Sequence, residues 1–518
     1  MKSIKIDGEF ESPVLDIALD TLKIGKQALI FVNTKKSAEK TAEEISKKIN
    51  VNDKKLIELA DKALNSLSRP TKQCEKLAFC LKKSIAFHHA GLTQEQKNIV
   101  EDNFRSGAIK IICCTPTLAY GVDLPAYRAI IKDLRRYTLH GLAWIPVLDY
   151  MQMSGRAGRP NYDNEGQSIV IAPTDSEKEK IEERYINGSP EEIYSKLAVE
   201  PVLRTYILSL IAANFTTTKE NLFDFFDKTF YAHQFKDLRR LHSTIAKVID
   251  MLEEWEFITR SGNDFANANE LNDEKLKPTL IGKRVAELYI DPLTAYFIIN
   301  CLRNASDKKI NAFSFLQMIT HTLEVRPLLK VGIREYEKVQ EAMLELSGFL
   351  LENEPSMYEP EYEDFLSSIK TALMLNHWIS EQDEEFLLEE YNIRPGELRA
   401  KLEIADWLLY ASEEICRIMH YQSLIKEIIK LRLRLKYGAK EELLPLVRLE
   451  NIGRVRARIL FRNRLRDIKD VKNADLSTLT QLLGEKIALS IKKQTGQEQK
   501  EVPENKRKGQ ISLKDWEG

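Results

Sequence analysis

The sequence predicts an α/β domain, a parallel sheet with helices on both faces, followed by mainly α-helical domains. Three observations carry this. Over residues 1–197, short apolar runs alternate with stretches of helical spacing, the pattern of a doubly wound sheet. After Pro190 the chain turns nearly all helical. Within that part, three amphipathic segments precede a strand pair, as in the winged-helix variant of the helix-turn-helix.

The elements follow in order. Ala28 to Val32 is a continuous apolar run, as in a strand buried on both faces. Lys35 to Lys48 has helical spacing. Ser84 to His88 and Ile109 to Cys114 are strand candidates flanking a helix over Thr93 to Arg105, and Tyr127 to Ile131 and Ser168 to Ala172 complete the sheet. The amphipathic segments are Val202 to Ala212, Leu222 to Phe230 and Leu238 to Trp255. Phe257-Ile258 and the Asn/Asp-rich Ser261 to Asp273 read as a strand and wing. From Lys283 to Ser423 there is no strand signal. An acidic loop, Glu352 to Asp364, and Arg394-Pro395-Gly396 interrupt the helices, and Pro395 with Glu397 opens a long helix to about Tyr421. The expected domains are 1–197, 198–284, 285–423 and 424–493, with a polar tail over 494–518 that reads as disordered.

Composition narrows the class. A chain of 518 residues holds several domains, and 43% apolar residues supply their cores. A net charge of -1 assigns any nucleic-acid affinity to local basic patches. The six cysteines include no Cys-x-x-Cys pair, so neither a disulfide framework nor a zinc site is expected. The N-terminus lacks the apolar run of a signal peptide, and no stretch reaches the roughly 20 apolar residues that span a bilayer. A soluble, cytoplasmic protein without a membrane partner and without a bound metal is expected.

The densest chemistry lies in Gln152-Met-Ser-Gly-Arg-Ala-Gly-Arg-Pro160, with two arginines three apart, each after a glycine. Guanidiniums held this way can neutralise a transferring phosphoryl group. The matching phosphate loop, Gly-x-x-x-x-Gly-Lys-Ser/Thr, is absent from the sequence. Gly25-Lys26 and Gly282-Lys283 are the wrong context, because Asp20 and Lys277 stand where the first glycine belongs and Gln27 and Arg284 follow the lysines. Asp273-Glu274 and Asp383-Glu384 sit in polar surroundings rather than at the end of an apolar strand. Hydrolysis of ATP by this chain alone is therefore not expected.

Four motifs then come in order: Phe31-Val32-Asn33-Thr34, His88 to Leu92, Thr115 to Ala126, and Gln152 to Pro160. They resemble motifs IV, IVa, V and VI of superfamily 2 helicases of the Ski-like group. With the winged helix, helical domain and basic C-terminal unit, the chain resembles the archaeal DNA-repair helicases related to HELQ and PolQ over about residues 1 to 490. The resemblance implies a second RecA-like domain over 1–197, a winged helix, a helical ratchet domain and a helix-hairpin-helix domain, with the chain starting after the first RecA-like domain. It implies that Arg156 and Arg159 face the γ-phosphate of ATP held with Mg2+ mainly on a separate lobe carrying the Walker A and B motifs. Gln152 would bond the nucleotide or its attacking water. Gly155 and Gly158 would allow close backbone approach, and Gly121 and Asp123 would lie near the nucleotide.

For DNA, the hydroxyls of Thr115 and Thr117 suit contacts to phosphates. Adjacent His88 and His89 at a strand end point to opposite faces, which argues against a shared metal. In the family a β-hairpin between motifs V and VI wedges the duplex junction. Tyr137 and Trp144 flank Gly141, which fits a tight turn, and either a wedge or an ordinary surface hairpin accounts for them. The family's ratchet helix crosses the single strand. Arg399 lies about 80° from Trp407 around a helix and Lys401 about 240°, so Arg399 is the better partner, and Trp407 is either a base platform or a core residue. From Lys430 to Arg466 there are twelve Lys or Arg and three Glu. Within this stretch, Leu449 to Ala457 resembles a helix-hairpin-helix in which Asn451 replaces the usual glycine. Gly453 with Arg454, Arg456 and Arg458 would hold a phosphate; a solvated basic face is the alternative. Gln510, Leu513 and Trp516 match the spacing of a sliding-clamp peptide, a short pattern that also arises by chance.

Two functions fit. One is the C-terminal half of a split ATP-dependent 3′–5′ DNA helicase acting on single-stranded and forked DNA in fork or recombination repair, inactive alone and completed by the separate lobe. The other is a non-enzymatic DNA-binding adaptor derived from such a helicase.

Overall fold

The structure is a computed structural model and describes residues 6, 8, 10, 12–51, 53–67, 69–138, 141–159, 163–197, 199–261, 275–306 and 308–496. The chain forms two compact units. The first comprises Met1–Thr279 with Asp383–Glu403, the second Leu280–Gln382 with the remainder from Ile404.

In the first unit, strands β1 (Ala28–Phe31), β2 (Ile85–His88), β3 (Ile111–Cys114), β4 (Arg128–Ile131), β5 (Arg135–Thr138), β6 (Gly141–Trp144) and β7 (Gln167–Val170) follow in sequence. Five of them make one sheet in the order β2-β3-β1-β4-β7, parallel throughout, with Ala28 opposite both Ile111 and Arg128. The four inner-sequence strands β1 to β4 are buried at every position, because helices cover both faces. Hence their sequences read as unbroken apolar runs. Threonine starts several of these helices. Thr34 accepts from the Ser37 amide, and Thr93 forms a capping box with Gln96. Two helices outside the sequence reading, Lys54–Leu64 and Lys72–Leu81, pack between Lys35–Ser46 and Gln94–Arg105.

Beyond β7 the winged helix is built from Glu200–Ala212, Lys219–Phe226, Phe230–Phe235 and Leu238–Glu254. The segment read as one helix, Leu222 to Phe230, is therefore two, and Thr229 is extended between them. The antiparallel pair β8 (Ile258–Ser261) and β9 (Lys275–Pro278) closes the motif. The wing tip expected over Ser261 to Asp273 lies, after Ser261, outside the described residues.

The second unit holds helices and no strand among its described residues. Its C-terminal part has its own core of Ala439, Leu443, Leu446, Ile452, Leu460, Leu479 and Ile491 among others. The sequence reading placed all of 285–423 in one domain, yet Asp383–Glu403 belongs to the α/β unit. The helix Glu384–Tyr391 ends at Asn392 in the left-handed region, φ 51°, and the chain restarts as the helix Pro395–Ile418. No single helix is long and apolar enough to cross a membrane among the described residues.

Candidate functional site

The arginine motif follows the helix Val147–Ser154. The Glu191 carboxylate holds the start of that helix, accepting from the amides of Val147 at 2.7 Å and Leu148 at 3.1 Å. After the helix the chain pairs with the loop before β4. The Ala126 amide donates to the Arg156 carbonyl at 2.9 Å, and the Gly158 amide to the Ala126 carbonyl at 2.7 Å. Gly158 has φ +95°, and a Cβ on Gly166 would lie 2.3 Å from the Gly158 nitrogen. Glycine is thus required at 158 by its positive φ and at 166 by close backbone packing. Gly155 is exposed at the helix end. A Cβ on Gly121 would meet nothing within 4 Å, so the protein itself does not require glycine there.

The two guanidiniums are held differently. Arg156 donates to the Ala119 carbonyl at 2.5 Å and lies 3.4 Å from Asp123, a side chain 93% exposed. Arg159 donates twice to Asp163, at 2.6 and 3.1 Å, and to Gln27 Oε1 at 2.7 Å. Lys26 adds a third bond to Asp163 at 2.7 Å. The hydrogen bond from Arg159 and the Lys26 ammonium hold the Asp163 carboxyl at about 2 against its burial. The sequence reading left both arginines open to a second lobe. In the fold, Arg159 is committed to an anchor of its own α/β unit and Arg156 is the looser of the two. Gln152 is exposed on the same helix.

Thr115 and Thr117 follow β3. Their hydroxyls bond each other at 2.9 Å. Thr115 is buried and Thr117 exposed, so Thr117 presents the accessible hydroxyl and Thr115 orients it. This revises the expectation that both reach phosphates. A cleft of about 510 Å³ opens beside Thr117, lined also by His88, Gln94, Lys97, Arg105 and Asp123. His88 and His89 take different partners, Glu101 at 3.0 Å and Glu39 at 3.4 Å. Burial lowers both imidazole pKa values, opposed in part by those carboxylates.

The hairpin between the motifs is present, with β5 and β6 antiparallel and Thr138 opposite Gly141, which takes φ +99°. The Trp144 ring meets Tyr185 edge-on at 6.0 Å, and the Arg135 guanidinium lies 4.2 Å over it. Trp144 therefore roots the hairpin in the domain. Leu142, 52% exposed near the turn, is a candidate the sequence reading missed. The Tyr137 side chain and residues 139–140 lie outside the described residues.

On the helix Pro395–Ile418, Arg399 is exposed and pairs with Glu403 at 3.1 Å. In the second unit the Trp407 indole N–H donates to the Leu288 carbonyl at 3.0 Å, with the ring half-buried. That bond anchors the indole in the fold. In the C-terminal hairpin Asn451 takes φ +66°, the left-handed position expected for it, and Gly453 starts the helix Arg454–Arg462. The arginines are mostly engaged. Arg454 stacks 4.3 Å over Trp378 and donates to the Gln382 carbonyl at 2.9 Å. Arg458 pairs with Glu381 and, at 2.6 Å, Glu442, which push its pKa further up. Arg456 is exposed and caps the Asn451 carbonyl at 2.8 Å. The expectation that all three add charge for DNA is corrected for Arg458, whose charge is matched by Glu381 and Glu442. Gln510, Leu513 and Trp516 lie outside the described residues.

The sequence reading also missed the docking of Arg394-Pro395-Gly396 on the His89-Ala90-Gly91 turn. Arg394 Nε lies 2.9 Å from Glu39, and the Gly396 amide donates to the Gly91 carbonyl at 3.0 Å. A Cβ on Gly396 would lie 2.2 Å from the Leu92 carbonyl oxygen. Burial raises the Glu39 pKa, but hydrogen bonds and charge from His89 and Arg394 outweigh it and hold the carboxyl at about 2.

Comparison with known proteins bears on these sites. The helicase conserved C-terminal domain family matches residues 56–161, a helix-turn-helix domain family 166–259, and the family described as archaeal helicase, domain 4, residues 313–438. The ATP-dependent DNA helicase Hel308 of Pyrococcus horikoshii is 40% identical over 506 residues, covering 96% of this chain and 67% of the relative. Hel308 of Pyrococcus abyssi is 39% identical over 504 residues with the same coverage. Hel308 of Methanococcus vannielii is 38% identical over 514 residues, 91% of this chain and 66% of the relative.

Proposed function

Because this chain belongs to the Hel308 family of ATP-dependent DNA helicases, we propose that it is the C-terminal portion of a split helicase. A separate lobe with the phosphate loop and acidic box binds ATP and Mg2+, and this chain supplies the arginines, the hairpin and the DNA-binding domains. The observation that carries the reading is the arginine loop, braced by two main-chain bonds to Ala126, in a sequence that holds no phosphate loop.

The residues suit a triphosphate end: Gln152 is exposed, and Arg156 is partly exposed beside the open carboxylate of Asp123. The nucleotide, when bound, supplies the phosphoryl group whose transfer to water releases energy. Arg156 exchanges the Ala119 carbonyl and Asp123 for the charge that develops on that group. Gln152 orients the attacking water. Arg159 either leaves Asp163 to join Arg156 or fixes the loop from which Arg156 reaches. Gly121, Asp123, Gly155 and Gly158 shape the approach.

Release of Ala119 loosens the turn carrying Thr117, which links the nucleotide side to a DNA phosphate beside the 510 Å³ cleft. The hairpin, with Tyr137 and Leu142, parts the duplex. Arg399 and Trp407 steady the single strand, and Gly453 with Arg456 holds backbone phosphate. Work on forked DNA proceeds 3′ to 5′ in the cytoplasm, and Gln510, Leu513 and Trp516 recruit a sliding clamp.

The test is reconstitution. The chain alone is expected to show no ATPase, and addition of a phosphate-loop lobe to restore DNA-stimulated turnover that Arg156→Ala abolishes. Turnover surviving Arg156→Ala would overturn the reading. One observation favours the second reading, a DNA-binding adaptor: the commitment of Arg159 to Asp163. An adaptor would bind forks with unchanged affinity after Arg156→Ala and gain no turnover from any lobe.

A further inference from the structure

We propose that Asp149 is a positioning residue that ties the hairpin, the threonine turn and the arginine helix into one moving part. The proposal rests on the helicase reading above, since it concerns how a fork at the hairpin is sensed at the arginines.

Asp149 lies in the first turn of the helix Val147–Ser154, whose far end leads to Arg156. Its two carboxylate oxygens serve two other elements. One accepts the phenolic hydrogen of Tyr120, on the short helix Leu118–Gly121 that follows Thr117. The other accepts from Arg136 Nη1 at 3.2 Å, and Arg136 lies on hairpin strand β5. These partners stand 29 and 13 residues away in the sequence, so the convergence is not a local accident of helix geometry. Burial and the hydrogen bond to Asp149 both push the Tyr120 phenol pKa up, so the phenol stays the donor and the carboxylate the acceptor.

The Leu118–Gly121 helix is gripped twice by the arginine segment. Tyr120 reaches Asp149, and the Ala119 carbonyl accepts from Arg156. When Arg156 turns to a nucleotide, the second grip opens and the first remains. Movement of the arginine helix is then passed through Asp149 to Thr117 on one side and to the hairpin on the other. Glu191, clamping the start of the same helix, gives the lever a fixed end. An acidic residue in a helix's first turn also stabilises the helix through its dipole, and that simpler role must be separated from coupling.

Two variants separate them. In Asp149→Asn the carboxylate charge that holds Arg136 is lost whichever way the amide turns, while the Tyr120 hydroxyl keeps a partner, so the hairpin arm is weakened. In Tyr120→Phe the helix dipole is untouched and only the arm to Asp149 is lost. The assay is hydrogen exchange of the full chain alone, with and without a synthetic forked DNA. Fork binding to the unaltered chain is expected to slow exchange in the hairpin and in both 118–121 and 147–154. In Asp149→Asn the slowing stays in the hairpin and drops by about fivefold in the other two segments, the change that loss of one hydrogen bond gives. In Tyr120→Phe it persists in 147–154 and drops in 118–121. Slowing confined to the hairpin in the unaltered chain, or equal slowing in all three proteins, would overturn the proposal while leaving the helicase reading in place. Failure of the unaltered chain to bind the fork would remove both. If Asp149→Asn does not fold, Tyr120→Phe alone decides, because a dipole role predicts no effect there.

Discussion

Replacing Arg159 by alanine tests whether the second arginine of the motif is an anchor. The substitution removes two bonds to Asp163, at 2.6 and 3.1 Å, and one to Gln27 Oε1 at 2.7 Å. The Asp163 side chain is 1% exposed and keeps Lys26 at 2.7 Å. Gln27 uses its amide nitrogen on the Phe104 and Ile109 carbonyls and would be left with an idle oxygen. A hydrogen bond to a charged group nets about 1.5–3 kcal/mol. The Arg159 side chain is 20% exposed, and water recovers part, so the loss is about 2–4 kcal/mol. At roughly 2–4 °C per kcal/mol for a unit of this class, the melting temperature falls on the order of 10 °C. Arg156→Ala gives up one charge-assisted bond to a carbonyl and a 3.4 Å contact to an exposed carboxylate, a smaller loss of about 1–2 kcal/mol. Its cost appears in turnover instead, where an arginine finger is worth ~10³–10⁵. Scanning calorimetry of both variants at neutral pH, with DNA-stimulated hydrolysis of the reconstituted complex, separates the two arginines. Equal melting shifts would refute the assignment of anchor and finger, as would normal hydrolysis by Arg156→Ala.

Other outcomes follow from single sites. Gly166→Ala drives a methyl group against the Gly158 backbone, so it should displace the arginine loop and cost about 2 kcal/mol or more by calorimetry. His88 and His89 have folded pKa values lowered by burial from 6.5. The unfolded chain then binds more protons below about pH 6.5, so their contribution to stability is complete above that pH and falls beneath it, by up to ~1.4 kcal/mol per pH unit for each ring. Thermal scans from about pH 8 to about pH 5 should show a shallower decline for His88→Asn. Arg456→Ala should flatten the salt dependence of DNA binding by about one phosphate contact with little change in melting, whereas Arg458→Ala, losing Glu381 and Glu442, should lower the melting temperature first.

Much of the fold was legible because its signals are local. β1 and β3 are buried on both faces, so their apolar runs announce a parallel sheet. The turn of Asn451 was readable from the tolerance of asparagine for positive φ. The fates of the tryptophans were not. Trp144 is fixed by Tyr185 and Trp407 by a carbonyl 119 residues away, and an aromatic residue looks alike in sequence whether its partner is a base or a distant backbone. Arg394 and Glu39 are 355 residues apart, which no periodicity reveals. Asp163 stands only four residues after Arg159, but with Pro160 next to the arginine and no helical pattern that spacing signals no ion pair.

The order of residues alone determined which chemical groups travel together: two guanidiniums three positions apart, two threonines two apart, an amphipathic triplet before a wing. Spacing over a few residues is set by chain geometry, so these survive any fold that keeps the segment intact. Only the tertiary structure decided which of those groups are already spent. Whether a charge is paired depends on where carboxylates and carbonyls from remote segments arrive, and here they reach Arg159, Arg454 and Arg458 while leaving Arg156 and Arg456 the more available.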